Sequence, residues 1–208
     1  MRLLVLLLLL AAPAAAQSSW EMRLAGIPIG EATLSGGATL TGTARTTGAA
    51  NALRPYAWSA RRSGAAYEEV ERLRGAERRT RLLFGGGVAV QAVPEGEVAL
   101  DAATLRGAVD PLTAMTRLLG PRPAARACAL DLRFTDGVRL GRMRLAPTDD
   151  PLRCAGRWER LAGPPPADGR ERRRGATFAV ELEAAGAGLR AAAIVADTPL
   201  GAFVLRRR

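Results

Sequence analysis

The sequence is cut into short stretches in which apolar and polar residues alternate, each closed by glycine or proline, and this period of two favours antiparallel β-structure. Trp20, Met22 and Leu24 fall on one side of the first stretch, Glu21 and Arg23 fall on the other, and Gly26-Ile27-Pro28-Ile29-Gly30 is expected to form the turn. Strands through Ala32 and Leu34 and from Leu40 to Ala44 follow, with Gly36-Gly37 between them. Gly48 to Pro55 interrupts the pattern with space for one helical turn. Gly85-Gly86-Gly87 marks a turn before a short strand over Val88 to Val93. Farther on, Cys128, Leu130, Leu132 and Phe134 alternate with Ala129, Asp131, Arg133 and Thr135. Asp136-Gly137 is a strong hairpin signal, and Val138 to Leu145 is the expected return strand. Three further strands are expected, at Ala176 to Glu183, Leu189 to Ala196 and Ala202 to Arg206.

Against this background one helix stands out. Asp110 is a good N-cap, Pro111 occupies the first helical position, Leu112, Met115 and Leu119 are spaced three and four apart, and Gly120 ends the run. Its apolar face is expected to lie on the sheet. The stretch from Tyr67 to Phe84 is open between an amphipathic helix and two strands joined near Gly75-Ala76, because Tyr67, Val70, Leu73 and Leu82 keep neither period.

The first residues carry a different message. Met1-Arg2 is a short basic start, Leu3 to Ala12 is unbroken apolar sequence, and Pro13-Ala14-Ala15-Ala16 supplies a small-residue cleavage site before Gln17. The apolar stretch is shorter than the roughly 20 residues a membrane-crossing helix needs. Residues 1–16 therefore read as a cleavable signal peptide, and 17–208 as one periplasmic domain, exported, without a lipid anchor and not membrane-spanning. In that oxidising compartment Cys128 and Cys154, the only cysteines, are expected to pair. Closing a loop of this length contributes roughly 3.5 kcal/mol in the chain-entropy model.

Composition removes many chemistries. The chain has no histidine, so histidine-based triads, histidine-ligated zinc and histidine general bases are excluded. Carboxylates remain, among them Asp149-Asp150, Glu68-Glu69-Glu71 and Asp136, but their spacing does not set a paired site apart from a solvated surface. No glycine run has the phosphate-binding spacing of a nucleotide site. No catalytic residue, metal or cofactor is assigned, and the chain is read as no enzyme. The net charge of +10 is carried by arginine alone, since there is no lysine. The runs Arg78-Arg79-Arg81, Arg170 to Arg174 and Arg206 to Arg208 lack interleaved aromatics and are read as solvated loop and terminal charge rather than a nucleic-acid surface. Of these, Arg170, Arg172, Arg173 and Arg174 are the candidates for contact with an anionic surface. Trp20, Trp58 and Trp158 are read as core or rim packing.

Several segments, taken in order, resemble an exported bacterial family, the domain of unknown function 3108. They are GIPIGEA at Gly26 to Ala32, Arg54-Pro55-Tyr56, VDPLTA at Val109 to Ala114, and the series Cys128, Asp136-Gly137, Cys154-x-Gly156. Trp158, Ala162-Gly163 and Thr198-Pro199-Leu200-Gly201 complete it. The resemblance implies a mostly β fold of the cell envelope and brings no established reaction. It favours two strands for Tyr67 to Phe84. The expected architecture is an antiparallel half-barrel or barrel-like sheet with one short packed helix. By analogy with lipoprotein carriers, such a sheet would bind an apolar or amphipathic envelope ligand such as a lipid. The alternative is a structural protein that binds an envelope partner or anionic surface through edge strands and its arginine loops.

Overall fold

Hairpin turns set the architecture. In the computed structural model, which describes residues 17–164 and 175–208, β1 (Gln17–Leu24), β2 (Ile27–Ser35) and β3 (Thr39–Thr46) form a meander. A short helix, α1 (Gly48–Leu53), leads to β4 (Tyr56–Ser63), β5 (Ala66–Leu73), β6 (Ala76–Phe84) and β7 (Val88–Ala92). After a connecting segment come α2 (Pro111–Leu119), the two-residue strand β8 (Arg122–Pro123), β9 (Asp131–Thr135), β10 (Leu140–Pro147) and β11 (Arg153–Ala162). The chain ends in β12 (Gly175–Ala185), β13 (Gly188–Thr198) and β14 (Gly201–Arg207).

All the described strands belong to one sheet, and its order is β7-β6-β5-β4-β3-β2-β1-β14-β13-β12-β11-β10-β9, with β8 on β13. Consecutive strands pair from β1 to β7 and from β9 to β14, and β1 and β14 meet in the middle of the sheet, Trp20 opposite Arg207 and Leu24 opposite Phe203. The sheet curls on itself without closing. Register shifts at Met22/Arg23, Arg81/Leu82, Leu140/Gly141 and Glu181/Leu182 supply bulges, which sharpen twist and bend.

The two edge strands, β7 and β9, do not pair with each other, and the segment between β7 and α2 bridges them. Leu100 donates its backbone N–H to the carbonyl of Gly137, Val109 donates to Arg133, and Thr135 donates back to Val109. A small apolar cluster of Val88, Leu105, Ala108 and Leu140 fills this seam. The β9 edge is thereby covered, which limits its use for pairing with another chain.

Helix α2 crosses the concave face. Asp110 caps it as expected, accepting from the Thr113 N–H at 2.8 Å, with Pro111 at the first position and Gly120 at the end. Leu112, Leu118 and Leu119 are buried in one core with Trp20, Tyr67, Leu82, Cys154 and Val180, so both halves of the sheet contribute to it. The helix seats closely on β3 because Gly42 has no side chain: a Cβ there would stand 2.8 Å from Leu112 and 2.9 Å from Trp58.

Several local expectations change. The first hairpin turns at Ala25-Gly26, both with positive φ, as tight two-residue hairpins require. Ile27 to Gly30 continue instead as strand β2, with Pro28 opposite Arg23 beside the bulge. The strand expected from Cys128 begins at Asp131, since Ala124–Arg126 forms a 3-10 turn just before the disulfide. No element is expected over Tyr56–Ser63, yet it forms β4. Tyr67 to Phe84 is two strands, with the turn at Arg74-Gly75. The arginines at 78, 79 and 81 lie in β6 rather than a loop and meet Glu97, Glu77 and Glu68. Those at 206 to 208 likewise belong to the end of the sheet, Arg206 on Glu181 and Arg208 beside Glu21 and Glu31. Among the described residues, no helix is long and apolar enough to cross a membrane.

Candidate functional site

The concave face is not filled everywhere. Between β3–β5 on one side and β9–β11 on the other, a cavity of about 370 Å³ remains beside the N-terminal half of α2. Its walls are largely aromatic: Tyr56 and Trp58 alternate inward from β4, Phe134 comes from β9 and Trp158 from β11. Pro111 and Met115 of α2 and Leu140 and Ala44 complete the apolar lining. Gly141 keeps the wall thin, because a Cβ there would lie 2.7 Å from the Phe134 ring and 2.9 Å from the Trp158 indole nitrogen.

One end of the cavity is polar. Glu69, Asp136, Arg139 and Arg160 reach it, and a smaller recess continues past Glu71, Arg78, Thr80 and Glu97. The β5 alternation explains part of this cluster, since Tyr67, Glu69 and Glu71 occupy every second position of one strand. The Asp136-Gly137 turn brings the rest. Asp136 accepts from the backbone N–H groups of Val138 at 2.9 Å and Arg139 at 2.6 Å, and from the Arg139 guanidinium at 3.0 Å. Arg139 also reaches Glu97 at 3.2 Å, and Arg78 pairs with Glu97 and, at 3.7 Å, with Glu71. Gly137 has φ +88°, and a Cβ would meet Leu82 at 2.8 Å, so this turn accepts glycine for two reasons.

Glu69 differs from its neighbours. Burial pushes its carboxyl above the ordinary carboxylate range, and the negative charges of Asp136 and Glu71 push the same way. Hydrogen bonds from the Tyr67 hydroxyl and Trp58 partly offset this. No described arginine forms a salt bridge with it. Tyr56 and Tyr67 are also shifted upward, first by burial and then by nearby carboxylates, and remain neutral hydrogen-bonding groups.

The residues assigned from the sequence fall around this site in different ways. Pro111 lines the cavity, while Asp110 lies behind it, fully buried and bound to Arg62. Cys128 and Cys154 form the expected disulfide, packed with the core rather than on the cavity wall. Trp20 is core, but Trp58 and Trp158 face the cavity. Asp149 and Asp150 form an exposed turn, and Glu68 faces outward to Arg81. Residues 1–16, expected to be a signal peptide, and Arg170, Arg172, Arg173 and Arg174 lie outside the described residues. The convergence of Glu69, Asp136 and Arg139 was not read from the sequence. Its only local signal is the every-second-residue pattern of Tyr67, Glu69 and Glu71.

Comparison with known proteins adds the fold. No protein-family model matches the sequence. No curated protein matches it. Among solved structures, a beta-barrel-like protein of the domain of unknown function DUF1849 from Brucella abortus is similar over 92% of this chain and 94% of its own, with a TM-score of 0.50 at 12% identity. At that identity the likeness concerns the barrel-like fold alone.

Proposed function

We propose that this protein is an exported, periplasmic, non-catalytic binding protein of the cell envelope, a member of the domain of unknown function 3108 family, whose curled sheet holds an apolar or amphipathic envelope ligand. The observation that carries this reading is the cavity of about 370 Å³ with aromatic walls and a single polar end, which lies within the size range of small-molecule sites. A protein built only as a scaffold would gain stability by filling that space. The polar cluster favours binding over catalysis: Asp136 is committed to its own turn and to Arg139, which leaves no second free carboxylate opposite Glu69 for paired acid–base chemistry. The Cys128–Cys154 bond is consistent with an oxidising compartment.

The test is to express the full precursor in a bacterium, recover the periplasmic fraction without detergent, and record intact masses under native and denaturing conditions. A mature chain beginning at Gln17 and a native mass raised by a dissociable lipid are expected. A precursor retained whole in the cytosol would refute export, and ligand-free protein that takes up no added alkyl amphiphile would refute carriage.

A further inference from the structure

The polar end of the cavity states which head group it would accept. Within and just beyond the cavity stand four carboxylates, Glu69, Glu71, Glu97 and Asp136, against three guanidinium groups, Arg78, Arg139 and Arg160. Arg139 is held between Asp136 and Glu97, and Arg78 between Glu97 and Glu71. The carboxylate left without a salt bridge among the described residues is Glu69. It lines the cavity and accepts from the Tyr67 hydroxyl. Tyr56, Trp58 and Trp158 surround the same space with aromatic surface, and the faces of such rings attract organic cations, the more so where water is displaced.

Building on the proposed carrier role, we infer that the cavity receives an organic ammonium group, placed among Tyr56, Trp58 and Trp158 with Glu69 as its counter-ion, on an amphiphile whose apolar part occupies the remaining space beside Met115 and Leu140. A cationic head supplies the ionic partner that Glu69 lacks among the described residues. An anionic head would meet Arg139, already held by Asp136 and Glu97, and Arg160, which is engaged as well, and would face Glu69 and Asp136.

The experiment uses the mature disulfide-bonded protein and follows tryptophan fluorescence and titration calorimetry with ligands of equal chain length, below their micelle concentrations. Decyltrimethylammonium is expected to bind about tenfold or more tightly than decanoate or decyl maltoside, in line with ring and counter-ion contributions of this size. Glu69→Gln is expected to remove that preference, with thermal unfolding checking that the variant is folded. Choline, which has the head without the chain, distinguishes the source: weaker binding than the alkyl ammonium supports an amphiphile, and equal binding supports a free small cation at the same site. If the three decyl ligands bind alike, or decanoate binds best, the ammonium assignment fails and the carrier role stands. If none binds, both fail.

Discussion

Arg62 and Asp110, separated by 48 residues in sequence, form an ion pair of 2.7 Å in which the carboxylate is completely buried. The pair joins β4 to the start of α2. Arg62 lies over the Phe84 ring, with its guanidinium carbon 4.6 Å from the ring centre, and donates to the Gly64 carbonyl. Asp110 meanwhile satisfies both the N–H and the hydroxyl of Thr113. A residue legible in the sequence as a helix cap is thus also the anchor that fixes the helix over the cavity.

Asp110→Ala is therefore expected to cost about 3 kcal/mol in chemical denaturation, because it strands a mostly buried guanidinium as well as removing the cap. A cap alone is worth about 1 kcal/mol. A measured loss near that smaller figure would mean that the Arg62 contact contributes nothing.

Reduction of the disulfide, or the double change Cys128→Ser with Cys154→Ser, is expected to lower unfolding stability by about 3.5 kcal/mol. Cys154 is fully buried opposite Val180 on the neighbouring strand, so the unpaired polar serine adds to the loss. Equilibrium urea unfolding with and without reductant measures it, and equal midpoints would contradict it.

Glu69 gives the stability a pH dependence of known sign. Its carboxyl holds a proton more tightly in the folded chain than in the unfolded one, because burial raises it. The folded state then binds more protons above the ordinary carboxylate range, and this contribution is lost as pH rises through the raised value. Glu69→Gln keeps a group that accepts from Tyr67 and has no charge to bury. The variant is expected to be more stable than the native chain near neutral pH, with the difference vanishing toward about pH 4, near the unfolded carboxylate value. Thermal unfolding across that range checks it, and a difference that grows on acidification would contradict the sign.

Gly42 sets the distance between α2 and the sheet. Gly42→Ala is expected to destabilise by about 1 to 3 kcal/mol through overpacking against Leu112 and Trp58. Since Trp58 also walls the cavity, the same change should alter its fluorescence in the native state.

What could be read from the sequence followed from local rules. Period-two alternation located most of the strands, the Asp110-Pro111 pair located the helix, and Asp136-Gly137 located a hairpin, because each signal lies within a few residues. Tyr67 to Phe84 needed a family resemblance, since its many Glu and Arg residues satisfy cross-strand ion pairs and leave no apolar period. The site was not legible. It depends on the sheet curling until β4 and β5 face β9 to β11, which is set by bulges and inward glycines rather than by any segment's own composition. The same curl turned Trp58 and Trp158 from expected packing residues into cavity walls. It also turned Glu69 from one of a surface-like run into a half-buried group on the cavity.

The central claim is that the interior space beside α2 is a ligand site and not a packing defect. The direct measurement is calorimetric titration of decyl maltoside into the native protein and into Ala44→Phe, whose ring would occupy the cavity from β3. Measurable binding by the native chain, weakened about tenfold or more in a variant whose melting temperature is at least as high, is the expected result. Equal affinity in the two proteins, or no binding by the native one, would contradict it.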